Sequence, residues 1–134
     1  MYKTSLDPRL EKDSYEIGSI ADSRILLMRN ALFPWFIIVP NTNEIEYYKL
    51  SHEQQSNISK QINMLSGFIE KHFTIDKLNI GMIGNIVSQM HIHVIGRRQD
   101  DPCWPGVVWG TERFKAYEAD QVEKIKQNFR TYTE

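Results

Sequence analysis

Apolar and polar residues form short strand-like runs in the first part of the chain. The apolar runs at residues 24–28 and 35–40 are rich in aliphatic and aromatic side chains, which predicts two strands. The turn-like segment 30–34 between them favours an antiparallel pair, and residues 41–48 are predicted to form a loop. The first 20 residues are mostly polar, and only a short helix over residues 7–12 is predicted there.

A long amphipathic helix follows this loop. Ser51 and Gln54 have the spacing of a capping box, in which each side chain bonds a main-chain N–H of the other residue. Apolar residues then recur at helical spacing, which predicts one helix over residues 52–73. These apolar positions are Ile58, Ile62, Leu65, Ile69 and Phe73.

The second half of the chain returns to strand-like runs and closes with a helix. Residues 77–83 and 87–96 predict two more strands, joined by a turn at Gly84 and Asn85. Residues 100–110 are rich in Pro, Gly and Trp and predict an irregular loop, and residues 116–131 predict the last helix. The order strand, strand, helix, strand, strand favours an α+β domain, a mostly antiparallel sheet with the long helix on one face.

Composition narrows the class of protein. The chain has 134 residues, which suits one domain over residues 1–134, with 41% apolar and 25% charged residues. A net charge of -1 and a pI near 6.4 argue against a binder of duplex nucleic acid but leave room for a small phosphate substrate. Cys103 is the only cysteine, so no intramolecular disulfide forms. Without a signal-like segment or a run of about 20 apolar residues, we expect a cytoplasmic protein with no membrane partner.

The candidate chemistry lies in the run QMHIHVI at residues 89–95. On a strand, Gln89, His91 and His93 share one face, while Met90 and the apolar residues that alternate after it face the helix. Such a pair of histidines is compatible with a nucleophile and a phosphate-binding partner, because imidazole attacks phosphorus. It is also compatible with two metal ligands, or with an unremarkable exposed face. The residues alone leave these three interpretations open.

The run QMHIHVIGRR, followed by DDPCWPGVVWG, resembles the histidine triad (HIT) family. The family signature is His-φ-His-φ-His-φ-φ, where φ is apolar, and this chain is similar to a bacterial variant with Gln first. WFIIVP and KLNIGMIGN resemble the strands that precede the triad. The resemblance implies a HIT-like α+β fold: about five antiparallel strands, one long helix on one face and a C-terminal helix. It places the core at residues 20–110 and the C-terminal loop and helix at 100–134.

The resemblance also implies an activity. A nucleotide phosphohydrolase or nucleotidyl transferase of this kind attacks the α-phosphate of a dinucleoside polyphosphate or nucleoside phosphoramidate and passes through a nucleotidyl-histidine intermediate. It implies that His91 is the nucleophile, that His93 contacts the phosphate and that Gln89 orients His91. It implies no resident cofactor or metal, a substrate that can carry Mg²⁺, and a homodimer. The alternatives are a nucleotide-binding module with little catalysis and a metal-dependent hydrolase with His91 and His93 as ligands.

Several further residues match substrate-binding positions of the family or suit such a role. Asn85 and Asn79 match polar positions near the phosphate, and Asn30 matches the position that binds the ribose hydroxyls. Arg97 is expected either to hold a phosphate or to be a solvated surface charge, and Trp104 either to stack on a base or to pin its loop.

Two departures from the family pattern concern proton transfer. Gln89 replaces the first histidine and does not titrate, so a proton relay through this position is lost. Trp35 stands where many members carry a further, supporting histidine. The loss of both together indicates a coordinated change, and protonation of the leaving group is the step it affects.

Overall fold

A computed structural model describes residues 2–134 and contains one five-stranded sheet with helices on both faces. The strands are β1 (Ser14–Ile20), β2 (Ser23–Met28), β3 (Trp35–Val39), β4 (Lys77–Gly81) and β5 (Ile92–Arg97). The helices are α1 (Pro8–Asp13), α2 (His52–His72) and α3 (Ala119–Thr133), with a short 3-10 turn at Tyr47–Lys49. No helix among the described residues is long and apolar enough to cross a membrane.

The sheet is antiparallel throughout and has the order β1-β2-β3-β5-β4. The last strand in sequence therefore lies between β3 and β4, which leaves β1 and β4 at the edges. This arrangement confirms the predicted α+β class, the antiparallel pairing of β2 with β3 and the HIT-like architecture. The central position of β5 matters for function, because this strand carries His93 and directly follows His91.

Two apolar clusters fill the two faces of the sheet. On one face, Met90, Ile92 and Val94 pack with the apolar side of α2 and with Ile125 of α3, as the alternation of the sequence predicts. The other face is covered by Leu10 of α1 and by residues from the loop after β5, together with other apolar side chains. The histidines alternate with Met90, Ile92 and Val94 along the chain and therefore belong to this second face.

The two long helices begin where capping chemistry places them. The hydroxyl of Ser51 accepts from the Gln54 main-chain N–H at 3.1 Å, and the Gln54 side chain accepts from the Ser51 N–H at 2.9 Å. This is the predicted capping box, which satisfies two N–H groups that a helix start leaves unpaired. At α3, Glu118 and Gln121 form the same reciprocal pair, so this helix begins later than predicted.

The structure differs from the sequence prediction at two strands. Strand β1 was not predicted, because a register shift between Glu16 and Gly18 breaks its two-residue alternation of buried and exposed side chains. Gly18 has a φ of +154°, and a Cβ at this position would lie 3.1 Å from the Phe129 ring. Strand β5 begins at Ile92 rather than at residue 87, since β4 ends at Gly81 and leaves residues 82–91 as a loop.

Candidate active site

The two histidines meet at the start of β5. His91 is the last residue before the strand and His93 lies within it, with exposed fractions of only 7% and 6%. Their ring centroids are 5.1 Å apart, and the rings are inclined at 64°. Two adjacent polar rings at this depth each need a bonding partner, and the partner decides where each ring carries its proton.

His93 is held by Trp35 of the neighbouring strand. The indole Nε1–H donates to His93 Nδ1 at 2.9 Å, and an indole nitrogen can only donate. Nδ1 of His93 is therefore unprotonated, which places the proton of the neutral ring on Nε2. Burial, and to a smaller extent the neighbouring His91, lower the pKa of His93 to about 4. At neutral pH, His93 is thus an uncharged ring with one fixed N–H donor.

His91 has the opposite arrangement of its ring nitrogens. Its Nδ1 lies 2.7 Å from the main-chain oxygen of Gln89, and a carbonyl oxygen can only accept. The proton of the neutral ring is therefore on Nδ1, and Nε2 carries the lone pair. A fixed imidazole with a free Nε2 lone pair is the form that a nucleophile requires.

Gln89 acts on His91 through its main chain, while its side chain faces elsewhere. Its amide nitrogen donates to the Thr4 hydroxyl at 3.0 Å and to the Ser5 main-chain oxygen at 3.2 Å. Its amide oxygen accepts from the Asp7 main-chain N–H at 2.7 Å. If Gln89 orients His91 as the family resemblance implies, the side-chain amide is the group expected to do so. The structure instead assigns this contact to the carbonyl of Gln89 and uses the amide to fasten the N-terminal segment.

A tryptophan packs against His93, but it is Trp109 and not Trp104. The Trp109 ring is 5.4 Å from His93 and almost perpendicular to it, at 87°. It lies on Gly81 of β4, where a Cβ would approach the ring to 3.2 Å. Its Nε1 is buried and has no hydrogen-bond partner within residues 2–134. Trp104 lies instead beside Arg97, whose guanidinium carbon is 5.7 Å from the ring.

Arg97 belongs to a buried structural network at the other end of β5. It is 1% exposed and donates to Asp101 at 2.7 and 3.0 Å, to Asn79 Oδ1 at 2.8 Å and to the Gly106 oxygen at 2.8 Å. Neither interpretation of Arg97, a phosphate ligand or a solvated surface charge, agrees with these contacts. The same bond engages Asn79, so neither residue is brought to His91. The irregular loop after β5 is held to the sheet by this network.

The remaining predicted positions are also separate from the histidines. Asn30 is buried: its amide nitrogen donates to the Arg113 oxygen at 2.9 Å, and its amide oxygen accepts from the main-chain N–H groups of Leu32 and Lys115. These bonds join the turn after β2 to the segment before α3. Asn85 is exposed in loop 82–91, the loop that leads to His91. Of the predicted polar binding residues, Asn85 alone lies on a segment that reaches the site.

Loop 82–91 and the N-terminal segment border the surface beside His91. A small hollow of about 30 Å³ is lined by His91 and loop residues such as Met82 and Ser88. An adjoining groove of about 240 Å³ shares Ser88 and Gln89 and extends to Asp7 and other residues of the N-terminal segment. Larger hollows lie elsewhere on the molecule. Residues 2–134 contain no group of three or more histidine, cysteine or carboxylate side chains that could hold a metal.

Sequence reasoning missed three contributors to this site. The sequence marks Trp35 only as a replacement for a histidine, and its joint appearance with Gln89 is the available signal. The N-terminal segment was treated as a polar lead-in, and nothing in its sequence indicates that Asp7 lies near His91. The structure brings them into electrostatic range: an interaction with His91 is the smallest of those that lower the pKa of Asp7, after the bonds from Arg9. Trp109 was not distinguishable from Trp104 by sequence.

The chain is similar to known proteins in both sequence and overall structure. The sequence profile of the HIT domain family matches residues 9–100. A histidine triad protein from Bradyrhizobium japonicum is 34% identical, with a TM-score of 0.91 over 97% of this chain and 98% of that chain. A second from Sinorhizobium meliloti is 33% identical, with a TM-score of 0.91 over 97% of both chains. A third from Marinobacter aquaeolei is 35% identical, with a TM-score of 0.90 over 96% of this chain and 95% of that one. A comparison with curated proteins found no match.

Proposed function

The chain belongs to the histidine triad family, whose members are generally nucleotide-binding hydrolases or transferases, and we propose that it cleaves nucleotidyl substrates at the α-phosphorus. His91 is the nucleophile, and His93 contacts the phosphate. The observation that carries the proposal is the bond from His91 Nδ1 to the Gln89 oxygen, because it leaves the Nε2 lone pair free. On the neighbouring ring, the bond from Trp35 to Nδ1 fixes the N–H of His93 at Nε2.

The first step of the proposed reaction is displacement at phosphorus. The Nε2 lone pair forms a bond to the α-phosphorus, the bond from phosphorus to the leaving group breaks, and its electron pair departs with the leaving group. The adduct leaves His91 with a positive ring, and the Gln89 carbonyl faces its Nδ1–H. The Nε2–H of the uncharged His93 donates to a phosphate oxygen as negative charge develops.

The second step releases the nucleotide. Water attacks the phosphorus from the open side, the phosphorus–nitrogen bond breaks, and its electron pair returns to Nε2. The proton lost by water passes to solvent. An alcohol or phosphate in place of water would make the same chain a transferase. Divalent magnesium enters this scheme only as a counterion of the substrate, which is how a polyphosphate ordinarily arrives.

This function is tested by comparing the activities of two histidine variants. Hydrolysis of diadenosine triphosphate by the wild-type chain should fall by about 10³-fold or more in His91→Ala, since the nucleophile is lost. His52→Ala is the matched control, because His52 is an exposed residue in the first turn of α2. Tight binding without turnover by the wild type would indicate a binding module. Loss of turnover on metal removal with a magnesium-free substrate would favour the metal-dependent alternative.

We also propose a homodimer that joins two copies along β4. This strand is an edge of the sheet, so one row of its main-chain groups has no strand partner, and such edges readily pair with another chain. Ile80, Met82 and Ile83, in and after this strand, expose 49%, 40% and 47% of their surface. An apolar edge of this kind is typical of a contact between copies.

Light scattering of the purified chain tests the dimer. The wild type should have twice the mass of one chain, and Ile80→Lys should shift it to one chain by adding a charge at the edge. Val107→Lys is the control, because Val107 is 59% exposed on the loop after β5. A single-chain mass for the wild type at high protein concentration would contradict the dimer.

A further inference from the structure

The side chain of Gln89 fastens the N-terminal segment, residues 4–9, to the loop that precedes β5. Both ends of the amide are engaged, in two donated bonds to Thr4 and Ser5 and one accepted bond from Asp7. A neutral histidine has one donor and one acceptor and would make fewer such bonds. Gln89 therefore fixes the path of this segment beside His91.

This path places the Arg9 side chain next to loop 82–91. Its Nη1 donates to the Ile86 main-chain oxygen at 2.9 Å, which ties it to the loop that leads into His91. Its Nε and Nη2 donate to the Asp7 carboxylate at 3.2 and 3.1 Å. A guanidinium has five N–H donors, so these bonds leave donors free, and 58% of the side chain is exposed. Arg9 is thus a fixed cation with unused donors, bonded to the loop that leads into His91.

The proton balance around His91 points to the kind of leaving group. The His93 ring packs against His91, and the Asp7 carboxylate lies within electrostatic range of it. His93 donates Nε2–H as a neutral ring, and the bonds from Arg9 lower the pKa of the Asp7 carboxyl, so it is ionised at neutral pH. Glu44 lines the adjoining groove, and its Oε1 accepts two main-chain N–H groups. Gln89 does not titrate.

We infer that Arg9 binds the phosphate of the leaving group, and that the chain prefers nucleotidyl phosphoanhydrides to nucleoside phosphoramidates. This inference rests on the proposed function and adds its substrate class. When His91 Nε2 bonds to the α-phosphorus, the leaving phosphate oxygen takes the electron pair and departs as an anion beside Arg9, with no proton required. An amine would depart as a strongly basic anion unless it were protonated, and the side chains facing His91 are poor proton donors at neutral pH.

Three probes separate the parts of this inference in single-turnover experiments. Diadenosine triphosphate has a phosphate leaving group, adenosine 5′-phosphoramidate has an amine, and the p-nitrophenyl ester of AMP has an anion that needs neither a proton nor a phosphate site. We expect the wild type to react with the phosphoramidate at least about 100-fold more slowly than with the triphosphate, the usual size of general-acid assistance. The nitrophenyl ester should not be slowed in this way, because its leaving group needs no proton.

Arg9→Ala should slow the triphosphate reaction by about 10-fold or more and leave the nitrophenyl ester nearly unchanged. Arg98→Ala is the matched control, since Arg98 is 52% exposed and pairs with Asp100 two residues away, as Arg9 pairs with Asp7. Equal slowing of both substrates by Arg9→Ala would reveal a structural role and overturn the assignment of Arg9. A phosphoramidate reaction as fast as the triphosphate reaction would overturn the substrate class.

Failure of the proposed function gives a different result. If none of the three probes forms an adduct on His91 although nucleotide binds, the nucleophilic mechanism itself fails. An adduct that forms most readily from the phosphoramidate would keep the mechanism and contradict only this inference. The folded state of each variant is checked by its thermal midpoint, which should match that of Arg98→Ala because Arg9 and Arg98 are both exposed.

Discussion

Both ends of β5 carry a buried polar side chain, but the two side chains differ in how many of their hydrogen-bonding groups are engaged. At its far end, Arg97 is 1% exposed and all the contacts described above are with groups of its own chain, chiefly Asp101 and Asn79. At its start, His91 is nearly as buried, yet only its Nδ1 is engaged, and Nε2 remains free. One end uses its polar groups to hold a loop, and the other keeps a lone pair for a substrate.

The difference shows that burial alone does not identify a functional residue. A buried charge that meets all its partners within the chain supports the structure, whereas a buried ring with one fixed and one free nitrogen is prepared for chemistry. The same distinction applies to two residues at the N-terminal segment, Gln89 and Arg9. Gln89 has all its side-chain groups engaged and acts as a fastener, while the partly exposed Arg9 keeps donors available.

The largest effect should follow from removing the Arg97 guanidinium at the far end of β5. Arg97→Met leaves the Asp101 carboxylate, 6% exposed, without its ion pair. Removing one partner of a buried pair costs about 3–5 kcal/mol in the free energy of unfolding. Arg98→Met should change it by about 0.5 kcal/mol or less, because Arg98 and Asp100 are both well exposed. Urea unfolding measures both, and equal losses in the two variants would contradict the comparison.

A second prediction concerns His93 and pH. The pKa of His93 is about 4 in the folded chain and 6.5 when unperturbed, so between these values the unfolded chain binds a proton that the folded chain does not. The stabilisation from this residue is complete above pH 6.5 and is lost as the pH falls towards 4. It amounts to at most about 3 kcal/mol at 1.36 kcal/mol per pKa unit.

Trp35→Phe isolates this contribution. It removes the N–H that donates to Nδ1, so the pKa of His93 should rise and the pH dependence of unfolding between pH 4 and 6.5 should weaken. Trp109→Phe is the control, because Trp109 packs against His93 and leaves the Trp35 bond in place. Nitrogen NMR of the imidazole rings gives the pKa directly. An unchanged pKa in Trp35→Phe would show that burial and the neighbouring His91 set it without the Trp35 bond.

The smallest effect should appear in the N-terminal segment. Gln89→Ala removes the three bonds that fasten it, so amide hydrogen exchange at Asp7 should accelerate by about 10-fold or more, at roughly 1 kcal/mol per hydrogen bond. Gln55→Ala is the matched control, because Gln55 donates to main-chain oxygens of Tyr47 and Leu50. It should loosen residues 47–50 and leave Asp7 unaffected. Equal exchange rates at Asp7 in the wild type and in Gln89→Ala would show that the Gln89 side chain does not hold the N-terminal segment in place.

Sequence patterns predicted the regular elements well where one physical rule dominates. The spacing of Ile58 to Phe73 and the Ser51 capping box defined α2, because a helix has one period and one kind of start. Strand β1 escaped prediction since its bulge shifts the alternation at Gly18. The late start of β5 also escaped, because pairing depends on where β4 ends rather than on residues 87–91 themselves.

The site was less accessible from sequence than the fold. His91 and His93 stand out because two polar rings interrupt an apolar run, and their family resemblance adds roles to them. The partners of these rings lie 58 and 2 residues away, at Trp35 and at the carbonyl of Gln89. Long-range contacts such as Gln89 with Thr4, or Arg97 with Asn79, arise from packing, and no local pattern encodes them.

The central claim is that His91 forms a covalent bond to the nucleotide, and intact-protein mass spectrometry tests it most directly. The chain is incubated briefly with diadenosine triphosphate and quenched without acid, because a phosphorus–nitrogen bond is acid-labile. The account predicts a mass increase of one adenylyl group in wild type and in His52→Ala, and none in His91→Ala. An adduct that persists in His91→Ala, or its absence from a wild-type chain that binds the nucleotide, would contradict it.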